Sequence, residues 1–223
     1  MTEEVLHSVS HVISKYMEEH FASLSSTYKW DFDNEKFPVD GYSAIGSNSY
    51  EKSRHLREYL NSLICQRHPL QIDSQKWYVQ HWGGVRGNKD ETLNSYIAST
   101  YDDLIKLGTK GVATWSKILC VRDPKKYAIY DARVSIALNS IQKKSDIFSP
   151  MLFPLLPTQN RKFVGQSGKL IIESGFFKLK SSNFYSDYLK ILHEVAFDKP
   201  WDIQDVEMAL FSGAENLSKV WLE

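Results

Sequence analysis

Several features that mark particular protein classes are missing from this sequence or nearly so. It has only two cysteines, Cys65 and Cys120, which excludes a four-thiolate zinc or iron–sulfur site. Both have apolar neighbours, so we expect two reduced thiols in the core of a protein from a reducing compartment. No apolar run approaches the length of a membrane span, and the acidic N-terminus lacks the apolar core of a signal peptide. These absences predict a soluble cytoplasmic protein without membrane contact.

Net charge is a second missing signal, because 27 basic and 27 acidic residues cancel. The charges are unevenly distributed, however. Residues 104–126 hold six lysines and arginines against one aspartate, and residues 158–181 hold five against one glutamate. A basic middle segment fits a polyanion-binding face, although a solvated lysine surface is the more ordinary explanation.

Strand patterns are scarce, and the helical spacing of apolar residues dominates the chain. The spacing predicts helices over 4–24, 50–66, 90–107, 132–143, 183–197 and 202–220, and one more that follows a hairpin at 108–114 and runs through Val121. Residues 25–49 and 149–180 are predicted to be irregular, although 170–180 fits either a helix or a strand. We therefore expect an all-α fold in one unit, 1–223. It would comprise mixed helices and loops over 1–90, a hairpin region over 91–145, and a basic loop with C-terminal helices over 146–223.

The segment from Leu104 to Leu119 predicts two helices joined by a tight turn that contains glycine. Backbone N–H groups at the start of the second helix, together with the helix dipole, would bind a phosphate oxygen. The residues that would form this phosphate site are Lys110, Gly111, Ala113, Thr114 and Lys117. A helical corner with a glycine C-cap is the commoner explanation of such a pattern.

An aspartate follows this hairpin, at the start of the next predicted helix, in the run Tyr-Asp131-Ala-Arg-Val. Capping of its own helix is the plain role for this residue. The hairpin and the aspartate together resemble the helix-hairpin-helix DNA glycosylase superfamily, in which a hairpin precedes a catalytic aspartate in a Val-Asp-Thr-His-Val block. The resemblance implies a mainly helical fold with two lobes that flank a cleft, and it implies that Asp131 is the catalytic carboxylate.

Further blocks are similar to those of small bacterial glycosylase-like proteins related to anti-phage enzymes that remove glucosylated hydroxymethylcytosine. The blocks are Trp82–Asn88, Trp115–Leu119, Leu156–Arg161 and Val206–Phe211. The resemblance implies an enzyme that flips and excises a modified or damaged base of double-stranded DNA. We expect it to act as a monomer without a cofactor or a metal. Candidates for the base pocket are Trp30, Tyr42, Trp82, Arg86, Asn88, Tyr127, Tyr130, Asn160 and Arg161. Taken singly, aromatic residues of this kind are more often part of a core.

The hairpin departs from the family's Gly-Val-Gly pattern, which leaves two registers open. The position of the nucleophilic lysine of bifunctional members falls on Trp115 in one register and on Val112 in the other. Neither residue is a lysine, which implies a monofunctional enzyme that hydrolyses the N-glycosidic bond with water and leaves an abasic site. Lys110 and Lys117 remain possible nucleophiles for a lyase reaction. A DNA-binding module without chemistry, and a helical protein–protein adaptor, remain as other functions.

Overall fold

The computed structural model describes residues 3–34, 36–157, 175–180 and 182–221. Its N-terminal part contains α1 (Glu3–His20), a 3-10 turn (Phe21–Ser23), α2 (Leu24–Thr27), α3 (Ser49–Cys65), and α4 (Gln71–Trp77), which continues into a π-helical turn (Tyr78–Trp82). The helices that follow are α5 (Asp90–Ala98), α6 (Tyr101–Ile105), α7 (Val112–Arg122), α8 (Ala132–Lys144), α9 (Phe184–Ala196) and α10 (Ile203–Leu217), with a final 3-10 turn (Ser218–Trp221).

The strands are minor elements. Met151–Leu152 (β1) and Phe177–Lys178 (β2) pair in parallel, with Met151 opposite Phe177. The prediction of an all-α fold is therefore confirmed. Within the described ranges, no helix is both long and apolar enough to cross a membrane.

Two local predictions were wrong in detail. The helix expected over 90–107 is broken at Ser99 and Thr100, because Thr100 caps a new helix by exchanging hydrogen bonds with Asp103. Cys65, expected in the core, is exposed, whereas Cys120 is buried. The Cys65 prediction failed because this residue ends α3 on the solvent side of the helix.

The core consists of two clusters of buried side chains. The larger cluster is built from α1, α7, α8, α9 and α10, and α8 packs closely along α10. The smaller cluster holds residues of α3, α4 and the π-helical turn, together with Cys120, Val121 and Ile129. Trp30 packs against both clusters and so marks the line along which they meet.

Candidate active site at the boundary of the two clusters

A buried segment carries Asp131 to this boundary. Residues 127–130 are buried, and the Tyr130 N–H donates a hydrogen bond of 3.0 Å to Ser116 Oγ on α7. The hydroxyls of Tyr185 and Tyr188 on α9 donate to the carbonyls of Ala128 and Ile129, each at 2.8 Å. The backbone before Asp131 is thereby held by two helices.

Asp131 is the N-cap of α8. Its Oδ1 accepts the Val134 N–H at 2.9 Å, so the plain capping role is present. Only one carboxylate oxygen takes part in this bond, and the half-buried side chain also lines a pocket. Capping and a role in the pocket therefore coexist at this residue.

The pocket next to Asp131 has a volume of about 30 Å³. Its walls come from both clusters and consist of Tyr28, Trp30, Trp82, Gly83, Lys117, Ile129, Asp131, Glu207 and Phe211. A cavity of this volume has room for a water molecule, whereas binding of a benzene ring requires a cavity of roughly 150 Å³. In this conformation the pocket therefore excludes a nucleobase.

Lys117 lies in this pocket and not on the surface of the hairpin, as its proposed role in a phosphate site would require. Only 4% of the residue is exposed, and its Nζ donates to the Ala113 carbonyl at 2.8 Å. Its side chain runs past Gly83, where an added Cβ would lie 2.6 Å from Lys117 Cε. Burial lowers the pKa of Lys117, while the charges of Asp131 and Glu207 act in the opposite direction. The pocket therefore contains an amine that loses its proton more easily than an exposed lysine does.

Glu207 adds a second carboxylate to the pocket. It belongs to α10, is 2% exposed, and accepts a hydrogen bond of 2.6 Å from Arg57 Nη1. Burial raises the pKa of Glu207 and Asp131 raises it further, which outweighs the lowering by Arg57 and Lys117. Two carboxylates and one amine therefore share a small space that is largely withdrawn from solvent.

Aromatic rings surround these charges. Trp30 donates its indole N–H to the Trp82 carbonyl at 2.9 Å and packs edge-on against Trp82 and Phe211. Trp82 stacks on Tyr78 with 4.3 Å between ring centroids, and its own Nε1 is buried without a hydrogen-bond partner among the described residues. Such rings offer the flat faces on which a planar base stacks.

The hairpin has the predicted turn. Residues 106–111 join α6 to α7, and Gly111 adopts a φ of +69° where a side chain would collide with the Tyr96 hydroxyl. Lys110 is exposed, and its carbonyl accepts the indole N–H of Trp115 at 3.0 Å. Val112 and Trp115, the two positions that correspond to the family's lysine, are buried. Thr114, predicted to bind phosphate, is also buried, and its Oγ1 accepts Asn88 Nδ2 at 2.7 Å.

The other predicted pocket residues that the structure describes do not line the Asp131 pocket. Arg86 is exposed, and Asn88 braces α7 through Thr114. Tyr130 is buried and donates its hydroxyl to the Pro154 carbonyl at 2.8 Å. Tyr127 stacks on Tyr101 and lines a separate groove of about 1010 Å³. Tyr42, which stacks on Tyr59 at 4.6 Å, is absent from the walls of the Asp131 pocket, and Asn160 and Arg161 lie outside the described residues.

Only some of the basic residues over 104–126 are exposed on the surface of the protein. Arg122 donates to the carbonyls of Tyr96, Ile97 and Ser99 and thereby closes the C-terminal end of α5, and Lys117 is buried. The exposed cations of the stretch are Lys106, Lys110, Lys125 and Lys126. In the described part of the chain, no three His, Cys, Asp or Glu side chains are grouped so that they could hold a metal ion.

Sequence reasoning missed Glu207 and Arg57 as members of the site and assigned Lys117 to a different surface. Glu207 lies within the block Val206–Phe211 that resembled glycosylase-like proteins, so that block was the available signal. Arg57 carries no such signal, because it looks like one of several charged residues on an amphipathic helix.

No family model, no curated protein and no solved structure matches this chain.

Proposed function

We propose that the protein is a monofunctional DNA glycosylase that extrudes a modified base from double-stranded DNA and hydrolyses its N-glycosidic bond. The observation that supports this best is the Asp131 carboxylate beside Lys117 and Glu207 in an aromatic-walled pocket between two halves of the core. Binding and active sites often lie where separate packing units meet. The resemblance of the hairpin and the Asp131 segment to glycosylases is the second support.

The chemistry follows from the charge that develops during bond cleavage. When the bond between C1′ and the base nitrogen breaks, its electron pair leaves with the base and positive charge develops on the deoxyribose. The negative charge of Asp131 stabilises that cation. Water then attacks C1′, and the proton that it loses passes through a carboxylate of the pocket to the departing base. The products are a free base and an abasic site.

Entry of a base requires the pocket walls to separate, because their present spacing leaves only about 30 Å³. Trp30 is the wall that belongs to the irregular segment between α2 and α3, and it is tied to the opposite wall by its hydrogen bond to Trp82. Breaking this hydrogen bond and moving the segment would open the pocket to solvent. We therefore place the opening at Trp30.

A second candidate function, a DNA-binding module without chemistry, is favoured by the small pocket and by the use of Asp131 as a helix cap. The module would bind duplex DNA in a salt-dependent way and leave every base in place. Either function would belong in the cytoplasm, and we propose a monomer as the acting species.

The deciding experiment counts abasic sites in phage DNA that carries unmodified, hydroxymethylated or glucosylated cytosine. The similarity to anti-phage glycosylases favours the glucosylated substrate. We expect wild-type protein to form abasic sites and Asp131→Asn to reduce the rate by about 100-fold or more. Asp146→Asn is a matched control, because Asp146 lies just beyond the other end of α8, is exposed, and has a φ of +48° that asparagine also tolerates. Abasic sites from none of the substrates would reject the enzyme in favour of the module.

A borohydride trap separates hydrolysis from lyase chemistry. Attack by water leaves nothing for the reductant to capture, so we expect no covalent protein–DNA adduct. An adduct that disappears in Lys117→Met would instead assign the attack on C1′ to the buried amine and would contradict the monofunctional mechanism.

A further inference from the structure

Arg133 lies two residues after Asp131, in the first turn of α8, and is half-buried. Its guanidinium carbon is 4.6 Å from the centroid of the Phe211 ring and 6.0 Å from that of the Trp30 ring. Both rings are walls of the Asp131 pocket. Arg133 therefore covers part of the aromatic wall that has to move when the pocket opens.

The guanidinium of Arg133 contacts aromatic rings and no acidic side chain of the described residues. Among the residues that the structure describes, it forms cation–π contacts but neither an ion pair nor a hydrogen bond. Three other arginines of the described residues differ, since Arg54 and Arg57 are paired with carboxylates and Arg122 with backbone carbonyls. Arg133 thus has donors available for an anion beside the candidate catalytic carboxylate.

The hydrogen-bonding geometry of a guanidinium indicates which anion Arg133 would bind. A guanidinium presents a planar fork of N–H donors that matches two oxygens of a phosphate. Charge-assisted hydrogen bonds of this kind are stronger than a cation–π contact at a partly exposed site. A phosphate within reach would therefore draw the guanidinium away from the two rings.

We propose that Arg133 binds a phosphodiester of the DNA strand next to the extruded nucleotide, and that this binding uncovers Trp30 and Phe211 and so opens the pocket. The inference deepens the proposed function, on which it rests for the identity of the ligand as DNA. Strand binding and pocket opening would then be one event, which explains why the pocket is closed to a base in the protein alone.

The test measures duplex affinity as a function of salt, which requires no catalysis. Each phosphate contact contributes about 0.9 to the slope of log affinity against log salt concentration. We expect Arg133→Gln to lower that slope by about this amount, so that its affinity falls about three- to fourfold less than that of wild type between 50 and 200 mM salt. Arg133→Lys retains the charge and should retain the slope. Lys144→Gln, an exposed cation at the far end of the same helix, is the matched control.

Opening is followed by the fluorescence of Trp30, isolated as the difference between wild-type protein and Trp30→Phe. We expect duplex DNA to change this difference signal in wild type and to leave it unchanged in Arg133→Gln. Inorganic phosphate serves as the second probe, and we expect it to produce the change only at concentrations far above those of duplex. An unchanged salt slope in Arg133→Gln would overturn the phosphate contact. A lowered slope without the fluorescence change would overturn the coupling to opening, and equal potency of inorganic phosphate and duplex would overturn the assignment to a DNA strand.

The outcomes separate this inference from the enzyme proposal. A lowered slope together with no abasic sites would reject catalysis and leave the Arg133 contact in place. Abasic sites together with an unchanged slope would support catalysis and reject the Arg133 contact. Circular dichroism of each variant shows whether it is folded, and Arg133→Lys provides a second comparison if Arg133→Gln is not.

Discussion

Arg57 and Glu207 form an ion pair 2.6 Å long that joins α3 to α10, with 0% and 3% of their side chains exposed. The pair adjoins the Asp131 pocket, because Glu207 is one of the residues that line it. Arg57 also donates from Nε to the Tyr78 hydroxyl at 3.0 Å and lies 5.5 Å from the centroid of the Trp82 ring. The two clusters of the core are therefore connected by buried charge at the same place where the candidate site lies.

The first prediction concerns this ion pair. Glu207→Leu and Arg57→Met each leave one buried charge without its partner, and we expect each to lower the free energy of unfolding by about 3–5 kcal/mol. The double variant removes both charges and should lose much less than the sum of the two. Urea denaturation of all four proteins measures the coupling. Losses that simply add would contradict a direct interaction.

The second prediction separates the two roles of Asp131. Asparagine is also a good N-cap, whereas alanine is not, so Asp131→Ala should lower the free energy of unfolding by about 1 kcal/mol and Asp131→Asn by much less. Both variants remove the carboxylate, and both should lower the rate of abasic-site formation by about 100-fold or more. Chemical denaturation beside the activity assay makes the comparison. Equal destabilisation by the two substitutions would mean that the charge itself stabilises the fold.

The third prediction concerns the space beside Lys117. A Cβ on Gly83 would lie 2.6 Å from Lys117 Cε and 2.8 Å from the Val79 carbonyl oxygen, so Gly83→Ala has to displace the lysine or the backbone. We expect a loss of about 1–3 kcal/mol in stability, typical of overpacking, together with reduced activity. Gly87→Ala is the control, because nothing lies within 4 Å of its added Cβ. Comparable stability of the two variants would contradict this prediction and would show that the Lys117 side chain can be displaced at little cost in free energy.

The fourth prediction is a pH dependence that originates at Asp202. Burial alone would raise the pKa of this carboxyl, but the hydrogen bond and charge of Arg54 and the N–H groups of Asp205 and Gln204 outweigh burial and lower it. A lowered pKa in the folded state means that the ionised form stabilises the fold above the ordinary aspartate pKa of about 3.9. That contribution is lost as the pH falls through the folded value.

Asp202→Asn provides the comparison, because asparagine keeps the cap of α10 without the charge. The difference in free energy of unfolding between wild type and this variant should be constant from pH 7 to about 5 and should shrink below about 4. Denaturant titrations at each pH measure it. A difference that persists undiminished to pH 3 would contradict an electrostatic origin.

Parts of the fold were predictable because their signals are local. The apolar spacing of 50–66, 132–143 and 183–197 matches α3, α8 and α9 closely, since a buried helical face has to repeat every three to four residues. The division of the expected helix 90–107 also has a local cause, the Thr100–Asp103 capping box, which the strong apolar periodicity concealed. No helix was predicted over 71–82, where α4 and the π-helical turn lie, because so short a segment has too few turns for its apolar spacing to stand out.

The sequence by itself determined that the chain is helical, that a glycine turn precedes α7, and that an aspartate begins α8. Each of these depends on residues within a few positions of one another, whose backbone preferences and hydrogen bonds act locally. Only the tertiary structure decided that Lys117 is inside and not on the hairpin surface, and that Glu207 shares a pocket with Asp131. Whether a side chain is buried, and which charges lie beside it, depends on which helices pack together. The pattern of residues within one helix does not specify which other helix packs against it.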